Sequence, residues 1–262
     1  MSNPAARIDG VDFSHWQAGT VVNYTKARRS GVRFMWHKAT ESTTYVDASY
    51  GTRRQQSAGH LTFGAYHFAR PSKTDGKTQA QFFLRHATVR KGDLRPALDL
   101  EDSGGLGIAA LTAWAGKFVA EVEHQTGEKP FIYTPFDLNN NFDCPLWVAR
   151  YSDAMSPPRV PKPWKTWTVW QFSNGVYGSP TSAPGIGGKV DLNTLNTSTP
   201  GKLLAKFIVG ATDPAPTPSP VKRYPNADAV LKAAKAGEAI STGHRHAVFA
   251  NIATLAKSIG GK

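Results

Sequence analysis

The chain has 262 residues and a mass of 28.4 kDa, with 40% hydrophobic and 19% charged residues. This excludes a disordered polymer and allows one large domain, or a domain of about 210 residues with a small appendage. A formal charge of +12 and a pI of about 9.8 favour a polyanionic partner such as nucleic acid, anionic lipid or an acidic wall polymer, without choosing among them. The lone cysteine, Cys144, excludes an intrachain disulfide and suits synthesis in a reducing cytoplasm; Phe142-Asp143-Cys144-Pro145 gives it no His-paired context, so it reads as structural.

In chain order, the opening residues MSNPAARIDG lack the apolar core of a secretory signal, and no apolar run of about 18 residues is present to span a bilayer. Short apolar segments predict eight strands, at residues 10–14, 33–40, 61–69, 94–101, 130–134, 145–150, 166–172 and 189–192. Helical patterns fall at 45–59, 76–88 and 108–126, the last stopped by Gly127 as a left-handed cap. Between 134 and 190 helices are hard to find and Pro, Trp and Gly dominate, which predicts an α/β fold: a β/α barrel whose second half is irregular. Asp-Pro-Ala-Pro-Thr-Pro-Ser-Pro at 213–220 predicts a stiff Pro-rich linker. The expected domains are therefore a barrel at 1–210, a linker at 211–220 and a small basic helical domain at 221–262. That tail carries seven basic and two acidic residues, and its apolar markers, Val230, Leu231, Ala234, Ile240, Val248, Ile252 and Leu255, fit two short helices.

Chemistry concentrates in RPALDLED, residues 95–102. In an extended strand Asp99 and Glu101 share one face, roughly 6 to 7 Å apart along the backbone, while Leu98 and Leu100 take the other. Two neighbouring carboxylates withdrawn from water do not both ionise readily, so one holds its proton near neutral pH, as an acid catalyst must. Asp12, Glu41, His67, Gln171 and Asp191 fall near the carboxyl ends of other expected strands, the edge where β/α barrels build active sites. Taken singly these residues are ordinary: Asp12 and Asp191 suit turn caps, and His67 suits a hydrogen-bonded packing role. Rings follow the same edge in sequence: Trp16, Tyr66 and Phe68 beside His67, Tyr133, Trp147, and Trp164, Trp167 and Trp170, whereas Trp36 and Trp114 read as core. Acidic groups beside exposed rings, with no phosphate-cradling glycine loop, suit a sugar polymer. No His/Cys/Asp spacing of metal-site type occurs, and no cofactor or nucleic-acid recognition module is indicated.

These residues also carry a family resemblance. Gly10-Val11-Asp12-Phe13-Ser14-His15-Trp16-Gln17, Lys38-Ala39-Thr40-Glu41, Gly64-Ala65-Tyr66-His67-Phe68, Ala97-Leu98-Asp99-Leu100-Glu101, Leu146-Trp147-Val148-Ala149-Arg150-Tyr151, Trp170-Gln171-Phe172 and Val190-Asp191-Leu192-Asn193 stand in the order found in family 25 glycoside hydrolases. Over residues 8 to about 196 the chain resembles the muramidases (lysozymes) of that family, phage endolysins included. The resemblance implies a flattened, TIM-like barrel that cleaves the β-1,4 bond between N-acetylmuramic acid and N-acetylglucosamine in peptidoglycan. It implies Glu101 as general acid, Asp99 as stabiliser or orienter of the acetamido group, and Asp12 and Asp191 as the rest of the carboxylate cluster. Substrate contacts are expected from Tyr66, His67, Phe68, Tyr133, Trp147, Trp170, Gln171 and Glu41. The family often has an aliphatic residue where Phe13 stands and a glycine where Ser42 stands. The expected partners are peptidoglycan strands and, through the basic tail, anionic wall polymers, with no specific nucleic acid and no membrane span. Synthesis is expected in a host cytoplasm without a signal, with action on the wall after release. A non-catalytic wall- or carbohydrate-binding protein is the alternative.

Overall fold

The computed structural model describes residues 7–152 and 157–211, so the expected basic tail and all but the first residue of the expected linker lie outside the described residues. Nine strands form one sheet: β1 (Gly10–Phe13), β2 (Phe34–Glu41), β3 (Tyr45–Val46), β4 (Thr62–Phe68), β5 (Ala97–Asp99), β6 (Phe131–Tyr133), β7 (Leu146–Ala149), β8 (Val169–Ser173) and β9 (Asp191–Leu195). Their order is β1-β9-β8-β7-β6-β5-β4-β2, and β1 pairs with β2 to close an eight-stranded barrel, with β3 appended to β2 as a short antiparallel edge. The expected irregular α/β barrel is the observed fold.

All eight expected strands form, but the last begins two residues later than expected and runs antiparallel to both neighbours. That reversal has a local consequence for the site. Asp191 opens its strand rather than closing it, yet it lies at the carboxyl edge of the other strands, paired in register with Asp12. Glu101 lies two residues beyond β5, on the loop that leaves it.

Alternation along the strands sorts side chains into two layers. Phe34, Trp36, Tyr66, Ala97, Phe131, Tyr133, Trp147, Val169 and Leu195 fill the barrel. Leu98, Leu100, Phe172, Leu192 and their neighbours face outward. Part of that outer layer is covered by helices. These are α1 (Tyr24–Arg29), α2 (Tyr50–Ser57), α3 (Gly76–Ala87) and α4 (Ile108–Thr126), with α5 (Pro200–Ala205) after β9. Helix α3 starts where the Asp75 carboxylate accepts from the amides of Lys77 and Thr78, and α4 stops at Gly127 in the left-handed conformation, φ 73°, as the sequence predicts.

The helix expected at 45–59 is shorter than its pattern. Tyr45 and Val46, aromatic and β-branched, extend against β2, and the Asp47 amide donates to the Ala39 carbonyl, so α2 starts only at Tyr50. The six-residue helices α1 and α5 have too few turns to show a period. Among the described residues no helix lies between 134 and 190. There Trp164, Trp167 and Trp170 cover the outer face of the sheet, at 8%, 8% and 1% exposure, with the Trp164 and Trp170 indole N–H groups donating to the carbonyls of Cys144 and Arg150. The expectation that these rings lie at the open edge is corrected. Ser42, where the family resembled often has glycine, takes φ 53°, a conformation that favours a residue without Cβ.

Candidate active site

A cleft of about 190 Å³ opens at the carboxyl edge of the barrel, and the strand ends deliver Asp12, Asp99, Glu101 and Asp191 to it. Four segments far apart in sequence thus place their acids in one depression. Tyr66, Phe68, Tyr133, Trp147 and Gln171 also line it, together with Lys38, Tyr151 and Trp16, the last 82% exposed.

Gln171 organises the inner wall. Its Nε2 donates to both oxygens of Asp12, at 3.0 and 2.9 Å, while its Oε1 accepts from the hydroxyls of Tyr133 (3.1 Å) and Tyr151 (2.6 Å). Asn193 Nδ2 donates to Asp12 Oδ2 at 2.7 Å, and Asn193 Oδ1 accepts from the Trp147 indole at 2.8 Å. Trp147 stacks in turn on Trp36, the two rings 4.5 Å apart. Asp12 therefore receives only donors, a pattern suited to an ionised carboxylate. Burial pushes it up to about 6, against the lowering effect of the amides, which leaves it ionised at neutral pH.

The other acids are less well supplied. Asp99 is buried, Oδ1 has no hydrogen-bond partner among the described residues, and burial followed by the charges of Glu101 and Asp12 raises it well above the carboxylate range. Asp191, facing Asp12, is pushed up to about 9 by burial and by the Asp12 and Glu101 charges, and so holds a proton at neutral pH. Glu101 stands at the mouth, exposed as a residue; its carboxyl is raised by desolvation, with Arg70 and Lys38 pulling the other way and Asp102 adding to the rise. Such a cluster resists full ionisation and supplies a carboxylate and a carboxylic acid within one cleft.

Three expected substrate contacts are outside the cleft lining, two of them, His67 and Trp170, for one reason. Tyr66 and Gln171 point inward, so the adjacent His67 and Trp170 point outward. His67 is fully buried outside the barrel: Nδ1 pairs with the Thr40 hydroxyl at 2.8 Å, Nε2 with Gln79 Oε1 at 2.9 Å, and its ring packs against Phe118. Desolvation lowers it to about 4, so it is neutral. Thr40 reaches it because the pairing of β2 with β4 slips by one residue between Lys38 and Thr40. Glu41 sits at the rim, bonded to Lys38 and Arg70, outside the cleft lining. Conversely Asn193, Tyr151 and Lys38 belong to the site without having been assigned a role. Counting by twos inward from Asp191 finds Asn193, whereas Tyr151 follows the end of β7 and no period reaches it.

Carboxylates in both protonation states, beside rings and amides in an open cleft on a β/α barrel, define a glycoside hydrolase. The sequence model of Glycosyl hydrolases family 25 matches residues 11–179, and the chain belongs to that family. It is 33% identical over 219 residues to "Lysozyme M1" of Streptomyces globisporus, covering 76% of this chain and 70% of that protein. It is 32% identical over 211 residues to an "N,O-diacetylmuramidase" of Chalaropsis sp, covering 70% of this chain and 96% of that one. Among solved structures, a bacterial lysozyme from Streptomyces coelicolor superposes with a TM-score of 0.67 at 30% identity, covering 76% of this chain and 95% of that chain. A family GH25 lysozyme from Aspergillus fumigatus gives 0.63 at 34%, covering 75% and 98%.

Proposed function

We propose that this chain is an N-acetylmuramidase that hydrolyses the β-1,4 bond between N-acetylmuramic acid and N-acetylglucosamine in peptidoglycan, with Glu101 as the general acid and Asp99 as the group that receives the substrate's acetamido N–H. The observation that carries the reading is the buried Oδ1 of Asp99, without a partner among the described residues, beside an exposed Glu101 in one cleft. An acceptor without a donor is costly until a ligand supplies one. The two carboxyls share proton occupancy as a pair. An amide N–H arriving at Asp99 favours its ionised form, and the proton is then held on Glu101, which faces the open side where the glycosidic oxygen departs. As that bond breaks, the Glu101 proton passes to the leaving oxygen, positive charge grows on the ring carbon, and the acetamido oxygen, oriented through its N–H on Asp99, closes on it from within the substrate; water then opens that closed ring at the same carbon, its proton returning to Glu101. Asp12, ionised and held by Gln171 and Asn193, adds negative potential beneath the ring. Trp16 and Tyr151 offer faces to the sugar C–H groups, with Phe68 and Trp147 deeper in the cleft.

The setting we propose is the bacterial wall, reached after release from a host cell in the manner of a phage endolysin, with the basic residues after 220 holding the enzyme to anionic wall polymers. The resemblance and the charge of the chain support that setting. Turbidity loss of wall suspensions, read together with new reducing ends, is expected to fall about 100-fold or more in Glu101→Gln. Full activity in that variant removes the acid assignment. Wall binding with no fragments by mass spectrometry, even in the unmodified protein, favours the non-catalytic alternative.

A further inference from the structure

Four charged side chains at the rim of the cleft form one continuous chain. Lys38 Nζ donates to Glu41 Oε2 at 3.2 Å, and Arg70 grips Glu41 Oε1 through Nε (2.9 Å) and Nη2 (2.8 Å). Arg70 Nη1 donates to Asp102 Oδ2 at 2.8 Å, while Asp102 Oδ1 accepts from the Gly104 amide at 2.8 Å. The Phe68 ring lies against both cations, 4.5 Å from Arg70 Cζ and 5.6 Å from Lys38 Nζ. The chain therefore joins the end of β2, the segment after β4 and the loop after β5. Asp102 directly follows Glu101, whose own carboxyl makes no hydrogen bond to the described residues. That loop is tied on its near side by the Leu100 amide donating to the Tyr133 carbonyl, and on its far side by the grip of Arg70 on Asp102.

We propose that Arg70 is a positioning residue for Glu101: anchored on Glu41, it holds the acid-bearing loop in place through Asp102. This rests on the reading of Glu101 as the general acid. The groups that face Glu101 are Asp12 on β1, Lys38 on β2, Arg70 after β4, Asp99 on β5, Asp102 on its own loop, Tyr133 on β6, Tyr151 after β7 and Asp191 on β9. Lys38 and Arg70 are the cations in that set. Lys38 is buried, whereas the Arg70 side chain is 38% exposed, which makes Arg70 the member that can be changed with the least disturbance to packing. The Arg70 charge also limits how far into alkaline pH Glu101 keeps its proton. A cation favours the carboxylate form of Glu101 and the Asp102 anion disfavours it, so removing one or the other moves the alkaline limb of activity in opposite directions.

The test measures kcat, KM and the pH profile on soluble wall fragments for Arg70→Met, Arg70→Lys, Asp102→Asn and Glu101→Gln in the full chain. Arg70→Met is expected to lower kcat about tenfold or more with little change in KM, because the loop is no longer fixed, and to move the alkaline limb to higher pH. Asp102→Asn is expected to lower kcat and to move that limb to lower pH. Arg70→Lys restores the limb, since charge is kept, but only part of kcat, since the two-sided fork is lost. Limbs that stay in place, or that move together in Arg70→Met and Asp102→Asn, overturn the proposal, as does an unchanged kcat in both. If Arg70→Met fails to fold, the limb positions of Asp102→Asn and Arg70→Lys decide the question. Glu101→Gln separates the two readings: full activity there defeats the acid assignment itself. An inactive Glu101→Gln beside unaffected Arg70 and Asp102 variants defeats the positioning role alone.

Discussion

Replacing Asp99 by asparagine is expected to stabilise this protein while disabling it. Asp99 is 8% exposed, Oδ1 has no partner among the described residues, and Glu101 and Asp12 repel its charge. Its carboxyl is raised well above 3.8, so the folded state binds this proton more tightly than the unfolded chain does. At pH values below the ordinary carboxylate range both states are protonated and the group is neutral in its effect. As pH rises toward the folded value the unfolded chain ionises first and stability is lost; above the folded value the loss is constant. An asparagine side chain cannot ionise, so the variant escapes that loss at neutral pH. Each pH unit over which the folded group keeps a proton that the unfolded chain has lost costs about 1.4 kcal/mol. In a domain of this size each kcal/mol is worth about 2–4 °C, so each such unit below pH 7 is expected to give Asp99→Asn roughly 3–6 °C in melting temperature over the unmodified protein. The gap should close on acidification toward pH 4. Activity should fall about 100-fold or more at the same time. Scanning calorimetry of both proteins across pH 4–8 checks this. A lower melting temperature for Asp99→Asn at pH 7, or a gap that does not narrow in acid, refutes the argument.

Gly64→Ala is expected to destabilise by about 1–3 kcal/mol in a thermal melt followed by circular dichroism, because there is no room for the new methyl group. A Cβ there would stand 2.4 Å from Trp36 Cδ1 and 3.1 Å from Leu94 Cβ, with Trp36 already boxed in by Phe34, Phe131 and Trp147. Cys144, buried and with its thiol pushed up to about 12 by desolvation, should resist iodoacetamide at pH 8 in the native protein and react fully once unfolded, as read by intact mass. Rapid native labelling would contradict that burial. Deleting residues 213–262 is expected to leave hydrolysis of small soluble fragments nearly intact while weakening sedimentation with intact walls; a truncated protein equal in both respects removes the anchoring role from the tail.

Much of the architecture is legible in the chain because period two and strand length survive in it. The segments around Trp36, Tyr66, Leu98, Ile132, Val148 and Phe172 all became strands, and Asp12, Asp99, Glu101 and Asp191 meet in one cleft. Direction is what the pattern does not carry. Nothing in Val190-Asp191-Leu192-Asn193 reveals that β9 runs backward, and Asp191 reaches the cleft from the start of a strand rather than its end. Parity separates true from false contacts: Tyr66 and Phe68 line the cleft, while His67 between them is drawn away to Thr40 and Gln79. The same parity turns Trp170, next to Gln171, to the outside: an indole beside a polar residue resembles a sugar platform, but here it covers the outer face of the sheet. The charge chain from Lys38 to Asp102 is invisible in sequence because its members meet from three separate segments.

The sector without helices also supplies a spectroscopic report. Of the seven tryptophans, Trp164, Trp167 and Trp170 seal the outside of that flank, and Trp36 and Trp147 stack inside the barrel. Light emitted at 280 nm excitation therefore comes largely from buried indoles on either side of the barrel wall. Their red shift on denaturation reports the exposure of these indoles to water, with no introduced label.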